Sequence, residues 1–299
     1  MKRVVSVSLG ASAGDMRVET EFLGVPFVVE RVGTNGDVRA AIDRIRELDG
    51  VADGIGLGGI DLYLVTRRRR YVVRQAAQMA SAAIHTPVAD GSGLKHTLER
   101  ETIAWLQRQG VIDFRDRRTL LVAAVDRFGM AEALVEAGAD VVFGDLIYSL
   151  GVPLPVRTLA GLERLARLLL PIVCLLPISW VYPTGERQSQ RVRRAPRWYR
   201  WAEVIAGDGH LIRRFLPDGL AGPTVITNTV RSRHVELFRA SGVTRLITTT
   251  PEFGGQSFGT NVMEAVLLVL LNERGQEATT ASYLALLAEL GWQPQITDL

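Results

Sequence analysis

The chain has 299 residues, 47% apolar and 22% charged, with a formal net charge of +3 at pH 7. This length and apolar content call for one large or two medium domains, and so small a net charge makes no electrostatic case for nucleic acid. The lone cysteine, Cys174, excludes an intrachain disulfide, and the longest apolar run, 168–178, is broken by Pro171 and Pro177, short of the about 20 residues of a membrane span.

The first segment, RVVSVSLGAS from Arg3, is β-rich and ends in Gly and Ser. RVETEFLG and PFVVERVG read as further strands. Residues 38–48 carry an apolar stripe of Val38, Ala41, Ile42, Ile45 and Leu48, with Asp37 as N-cap and Gly50 as stop, which predicts a helix. GIGLGGIDLYLV (54–65) reads as one strand with a glycine-rich lead, and RRRRYVVRQAAQMASAA (67–83) as a helix before a strand at TPVAD. From Leu94, the residues Leu98, Thr102, Trp105 and Leu106 recur at helical spacing, and Ser92 or Gly93 can cap that helix. A βαβ unit follows: a strand at Leu120–Val125, a helix facing Met130, Ala133, Leu134 and Ala137 inward, a stop at Gly138, and a strand at Asp140–Gly144. After an amphipathic segment at 157–170 and an irregular Pro- and Arg-rich region, strands and helices alternate again from Trp201 to Pro251. Helices at GTNVMEAVLLVLLNE and TASYLALLAELG close the chain. The expected fold is α/β: an N-terminal α/β substrate domain (1–92), a linking helix (93–110), a Rossmann-like doubly wound parallel-sheet domain (111–258) and C-terminal helices (259–299).

Lysine occurs only at Lys2 and Lys95, and arginine is a poor general base, so lysine-dependent chemistry falls to Lys95. Lys95 follows the turn Asp90-Gly91-Ser92-Gly93. The spacing GSGLKHT is not that of a Walker phosphate loop. Asp90 either acts as a catalytic acid or caps the turn. The Lys95 ammonium either reaches Asp90 across the turn or pairs with Glu99 one helical turn on.

The order of parts and the Asp-Gly-x-Gly turn that opens the linking helix resemble the shikimate/quinate dehydrogenase family. Ser6 and Ser8 echo its early Ser-x-Ser, TNT at 227–229 its Asn-Ala-Thr-Pro stretch, and Gln256 with Phe258 its late Gln-x-x-x-Phe region. The resemblance implies an NADP- or NAD-dependent oxidoreductase acting on a small cyclic hydroxy acid, with Asp90 and Lys95 catalytic. Ser6, Ser8 and Gln256 would hold the substrate, and Gly129, Asp145, Thr227, Asn228 and Thr250 would hold the cofactor. The sequence departs from the family at the nucleotide turn, VAAVDRFGMAEAL, whose only glycine is Gly129; in having no lysine between Lys2 and Lys95; and at Val88 and Ala89, which stand before the acid in place of Asn. The alternative is a Rossmann-like ligand-binding or regulatory protein without dehydrogenase activity.

Asp145 stands 16 residues after Gly129, where an acid can bind ribose hydroxyls or cap the next segment. Asp208 and His210 follow a predicted strand, as an N-cap and a surface histidine or as a ligand-edge acid–base pair. The stretch from Arg187 to Trp201 joins arginines to aromatics, fit for stacking on a base or for packing on the core. Arg67–Arg70 reads as a basic loop or helix start. His85, His96 and His234 have no metal-ligand spacing, so no metal is expected. The expected partner is a small-molecule substrate, with neither membrane nor nucleic acid. Oligomeric state is open, a homodimer included. The N-terminus lacks a signal-peptide shape, so a cytoplasmic protein is expected.

Overall fold

The structure is a computed structural model that describes residues 1–177, 191–228, 230, 232–250, 252–253 and 256–299. Its first sheet contains β1 (Lys2–Ser8), β2 (Met16–Phe22), β3 (Val25–Gly33) and β4 (Gly54–Gly58). β5 (Tyr63–Val65) and β6 (Arg70–Val72) form a separate antiparallel hairpin, and β7 (Val88–Ala89) completes the sheet in the order β2-β3-β1-β4-β7. β1 runs parallel to both β3 and β4 and is buried from Val4 to Ser8, as a strand covered on both faces should be. β2, on the edge and antiparallel to β3, alternates instead, with Arg17, Glu19 and Glu21 exposed. The helix Val38–Leu48 forms as its stripe predicts. Asp37 accepts hydrogen bonds from the amides of Arg39 (2.9 Å) and Ala40 (3.0 Å), and Ala41, Ile45 and Leu48 are buried.

Two expectations fail in this half. The single strand predicted at 54–65 is broken: β4 stops at Gly58 and Gly59 takes a φ of +73°. The helix predicted from 67 begins only at Arg74 and runs to Ala80, because Tyr71 and Val72 pair as a strand with Tyr63 and Leu64.

The second sheet holds β8 (Arg118–Leu121), β9 (Asp140–Phe143), β10 (Val204–Gly207), β11 (Thr224–Thr227) and β12 (Arg245–Thr248), all parallel. β13 (Glu252–Phe253) and β14 (Gln256–Ser257) form a small hairpin, and β15 (Gln295–Asp298) joins β12 antiparallel. The order is β15-β12-β11-β10-β8-β9. The chain leaves β8 for β9 on one side and returns to the other side for β10. This is the doubly wound arrangement, with its topological switch point between β8 and β10.

The closing helices Thr260–Glu273 and Thr280–Glu289 cross back to the first sheet. Val262, Val266, Val269, Leu270, Tyr283 and Leu286 share a core with Val4, Phe22, Phe27, Val29 and Ala89. Gly56 lets the first of them lie close, since a Cβ there would stand 2.9 Å from the Asn261 side-chain nitrogen. The final strand β15 was not expected among C-terminal helices. All four of its residues are exposed, so it carries no apolar period to read. Among the described residues, no helix is long and apolar enough to cross a membrane.

Candidate functional site

Strands of the two sheets end toward each other. β4 and β7 lead into Asp61 and Asp90, while β8 and β10 lead into Asp126–Arg127 and Asp208. Between them runs the linking helix: a short turn at Ser92–Leu94, a wider π-type turn at Lys95–Glu99, and α-helix at Arg100–Arg108. A small pocket lies there, with a free volume of about 10 Å³, roughly the room one water needs. Tyr63, Val65, Ser92, His96, Asp126 and Phe128 line it. A hollow of about 330 Å³ lies at the opposite edge, beside the first residues of β10, β11 and β12. That is the amino-terminal edge, away from where ligands of such sheets bind.

Asp90 has both oxygens engaged. Oδ2 accepts from the amides of Leu62 (2.6 Å) and Tyr63 (3.0 Å), and Oδ1 from the amide (3.1 Å) and hydroxyl (2.7 Å) of Ser92. It thus ties the loop after β4 to the start of the linking helix. Lys95 takes neither expected partner: its ammonium hydrogen-bonds to Asp61. The break after Gly58 explains the correction, because it turns Asp61 out of the predicted strand and into the junction. Burial pulls the Lys95 ammonium toward neutrality, but the Asp61 carboxylate outweighs it and leaves the pKa raised. Lys95 is held charged.

One turn along, Glu99 pairs with Arg127, whose other nitrogen meets Asp208 at 3.0 Å. Arg127 is 2% exposed and sits at the switch point. Burial raises the Asp208 carboxyl, but the Arg127 guanidinium overrides it and holds the group well below the usual carboxylate range. Asp208 also caps its helix, accepting from the amides of His210 (2.8 Å) and Leu211 (3.2 Å), while His210 Nδ1 lies 2.7 Å from Arg213. Burial lifts the neighbouring Asp126 well above its usual range, and Asp61, Asp208 and Asp145 add to this against Lys95.

The expected cofactor residues are dispersed in role. Asp145 accepts from the amides of Ala124 (3.0 and 3.1 Å) and Val125 (3.0 Å). Gly129 serves packing: a Cβ would lie 2.7 Å from the His96 carbonyl oxygen. Thr227 Oγ1 lies 3.2 Å from Asn228 Oδ1, which accepts from the Gly209 amide at 3.2 Å, and Asn228 donates to Asp208 at 3.3 Å. The Thr250 hydroxyl is buried without a partner among the described residues. Of the expected substrate residues, Ser6 accepts from the Asn261 side chain at 2.8 Å. Ser8 accepts from the Gly10 amide and from Arg31, both at 3.1 Å. Gln256 lies on β14. Thr229 and Arg187–Gln190 lie outside the described residues. The rest of the Arg/Trp segment packs on itself and on nearby chain: Tyr199 is buried, and Arg157 stacks over Trp198 and Trp201 at 5.7 and 5.3 Å.

Sequence reasoning missed Glu264. It is 6% exposed on the closing helix, accepts from the Tyr283 hydroxyl at 3.1 Å, and leaves Oε2 buried without a partner among the described residues. The signal was available: a lone acid inside the apolar run VMEAVLLVLL. Burial lifts its carboxyl to about 7, with the nearby Asp90 charge adding to the rise. Its folded pKa lies above the unfolded one, so its charging opposes folding as pH rises from 4.5 toward 7. The expected result is a higher melting temperature at pH 5 than at pH 8, with the slope reduced in Glu264→Gln, measured by scanning calorimetry.

Two family models match the sequence. One, described as Domain of unknown function (DUF8754), matches residues 93–299, and the other, Domain of unknown function (DUF8753), matches residues 3–90. A search of curated proteins gives no match. Among solved structures, shikimate 5-dehydrogenase from Thermus thermophilus, in complex with NADP(H) and shikimate, is 12% identical, with 97% of this chain and 100% of that chain covered and a TM-score of 0.36. L-tryptophan dehydrogenase from Nostoc punctiforme is 9% identical, covering 97% and 79%, TM-score 0.38. A periplasmic ribose ABC transporter from Conexibacter woesei is 10% identical, covering 92% and 87%, TM-score 0.38. Likenesses this distant carry no argument about activity or ligand.

Proposed function

We propose that this chain, which belongs to the family described as Domain of unknown function (DUF8754), binds a small metabolite rich in hydroxyl or amine groups at the junction of its two sheets. The observation that carries this reading is a set of buried carboxyl oxygens without a partner among the described residues: Glu99 Oε2, Asp126 Oδ1 and Glu264 Oε2. Each such acceptor costs about 1–3 kcal/mol when left without a donor. Hydroxyl or ammonium hydrogens of a ligand would satisfy them. Lys95, held charged by Asp61, would stabilise developing negative charge there. Entry of a ligand requires the junction to open beyond its present volume of about 10 Å³.

A second reading is an NAD(P)-dependent oxidoreductase of the quinate/shikimate type, favoured by the Asp90–Gly93 turn at the meeting of the two sheets. Asp90 and Lys95 would serve the proton, and Ser6, Ser8 and Gln256 the hydroxy acid. The nucleotide turn does not fit the cofactor as folded. The amides of Ala124 and Val125, which a phosphate would use, are already bonded to Asp145. No step is therefore assigned to a dinucleotide.

Calorimetric titration of the purified chain with myo-inositol, ribose, glucosamine, quinate and shikimate tests the first reading. Saturable binding of a polyol or amino sugar, lost in Lys95→Met, is expected. No binding of any at millimolar concentration contradicts it. Titration with NADPH and NADH, followed by nicotinamide fluorescence, decides the second.

A further inference from the structure

We infer that Asp145 is a specificity-determining residue, an internal anion that denies the switch-point crevice to phosphate-bearing ligands. In a doubly wound sheet, the turn after the first strand presents free amides at the carboxyl edge, and these are what a phosphate uses. Here that turn follows β8. The Asp145 side chain reaches it from the end of the neighbouring β9. Oδ1 accepts from the amides of Ala124 and Val125, both at 3.0 Å, and Oδ2 from Ala124 at 3.1 Å. The residue is 7% exposed, so water does not compete for those donors. Burial lifts its carboxyl to about 6, with the amides of Val125 and Ala124 opposing, which leaves it mostly ionised at neutral pH.

The exclusion has three parts. The amides are consumed by a carboxylate the chain itself supplies. The negative charge of that carboxylate repels a second anion at hydrogen-bonding distance. Arg127, the guanidinium of the same turn, turns its two terminal nitrogens to Glu99 and Asp208, and the Asp145 carboxyl is shifted by burial and by backbone amides rather than by that charge. This explains why the turn dispenses with the glycines that let a backbone approach a pyrophosphate. The inference rests on the fold and on Asp145, not on the metabolite reading, so a phosphate titration and the metabolite titration succeed or fail independently.

Two variants separate charge from hydrogen bonding. Asp145→Ser withdraws the acceptor and frees the amides. Asp145→Asn removes the charge but keeps a side-chain oxygen that accepts from the same amides. Calorimetry at low salt with inorganic pyrophosphate, and separately with ADP, is the measurement. The full-length wild type and Asp145→Asn are expected to show no saturable binding at millimolar concentration. Asp145→Ser is expected to bind pyrophosphate saturably, with a dissociation constant at least about tenfold below the concentration at which wild type shows none. Wild-type binding equal to that of Asp145→Ser would overturn the inference, as would a folded Asp145→Ser, judged by circular dichroism, that gains nothing. If Asp145→Ser does not fold, proton NMR of the other two chains decides. The Ala124 and Val125 amide protons should be shifted downfield in wild type and move upfield in Asp145→Asn. Unchanged shifts would overturn it.

Discussion

Replacing Arg127 with methionine is expected to cost about 3–5 kcal/mol of stability, the usual result of removing one partner from a buried ion pair. The guanidinium is 2% exposed and joins Glu99, on the linking helix, to Asp208, at the end of β10. Methionine fills much of the volume but leaves the buried Glu99 carboxylate and the half-buried Asp208 carboxylate without this guanidinium. They can relieve this only by taking protons. In wild type Arg127 holds the Asp208 carboxyl low, so it is ionised at pH 5 and pH 8 alike. In Arg127→Met burial acts on it without that guanidinium and raises it, so its ionisation opposes folding as pH rises. The difference between wild type and Arg127→Met should therefore be larger at pH 8 than at pH 5. Arg127→Lys should recover only part, since a single ammonium cannot reach in two directions as the planar fork does. Urea denaturation at both pH values checks this. Equal midpoints for wild type and Arg127→Met would remove the pair from the account of what joins the two sheets.

Lys95→Met is expected to weaken metabolite binding by about 100-fold or more, the loss of roughly two hydrogen bonds' worth of a charged donor. It should also destabilise the fold, because Asp61 loses its counter-ion. The two effects separate in the double variant Asp61→Asn, Lys95→Met. Removing both charges should restore most of the stability while leaving binding lost. Recovery of binding in the double variant would mean that Lys95 acts only through the fold. The comparison is made by calorimetry for binding and by melting temperature for stability.

Much of the scaffold could be read from the chain. The apolar stripe and Asp37 cap of Val38–Leu48, the βαβ unit around Met130 and Leu134, and the later alternation of strands and helices all rest on local period and capping, and all appear. The Arg74–Ala80 helix start and β15 were not legible. The first depended on Tyr71 and Val72 finding strand partners, and the second on an exposed strand with no apolar face. The site was legible in part. The turn at Asp90 and Lys95 stood out because it holds one of two lysines. The contacts around it did not, because the pairs Asp61–Lys95 and Glu99–Arg127 join residues that sheet topology brings together across long sequence separations. Asp145 was noticed for its place after β9. Its hydrogen bonds to the turn of β8 are a tertiary fact that spacing alone could not supply.

The central claim is that a ligand binds where the two sheets meet. Hydrogen exchange of the full chain, with and without a metabolite that binds in the calorimetric titration, tests it most directly. The account predicts joint protection of 59–63, after β4, and 122–127, after β8, with the linking turn 90–95 included. Protection confined to one of these segments, or falling at the opposite edge around 110–117, would contradict it.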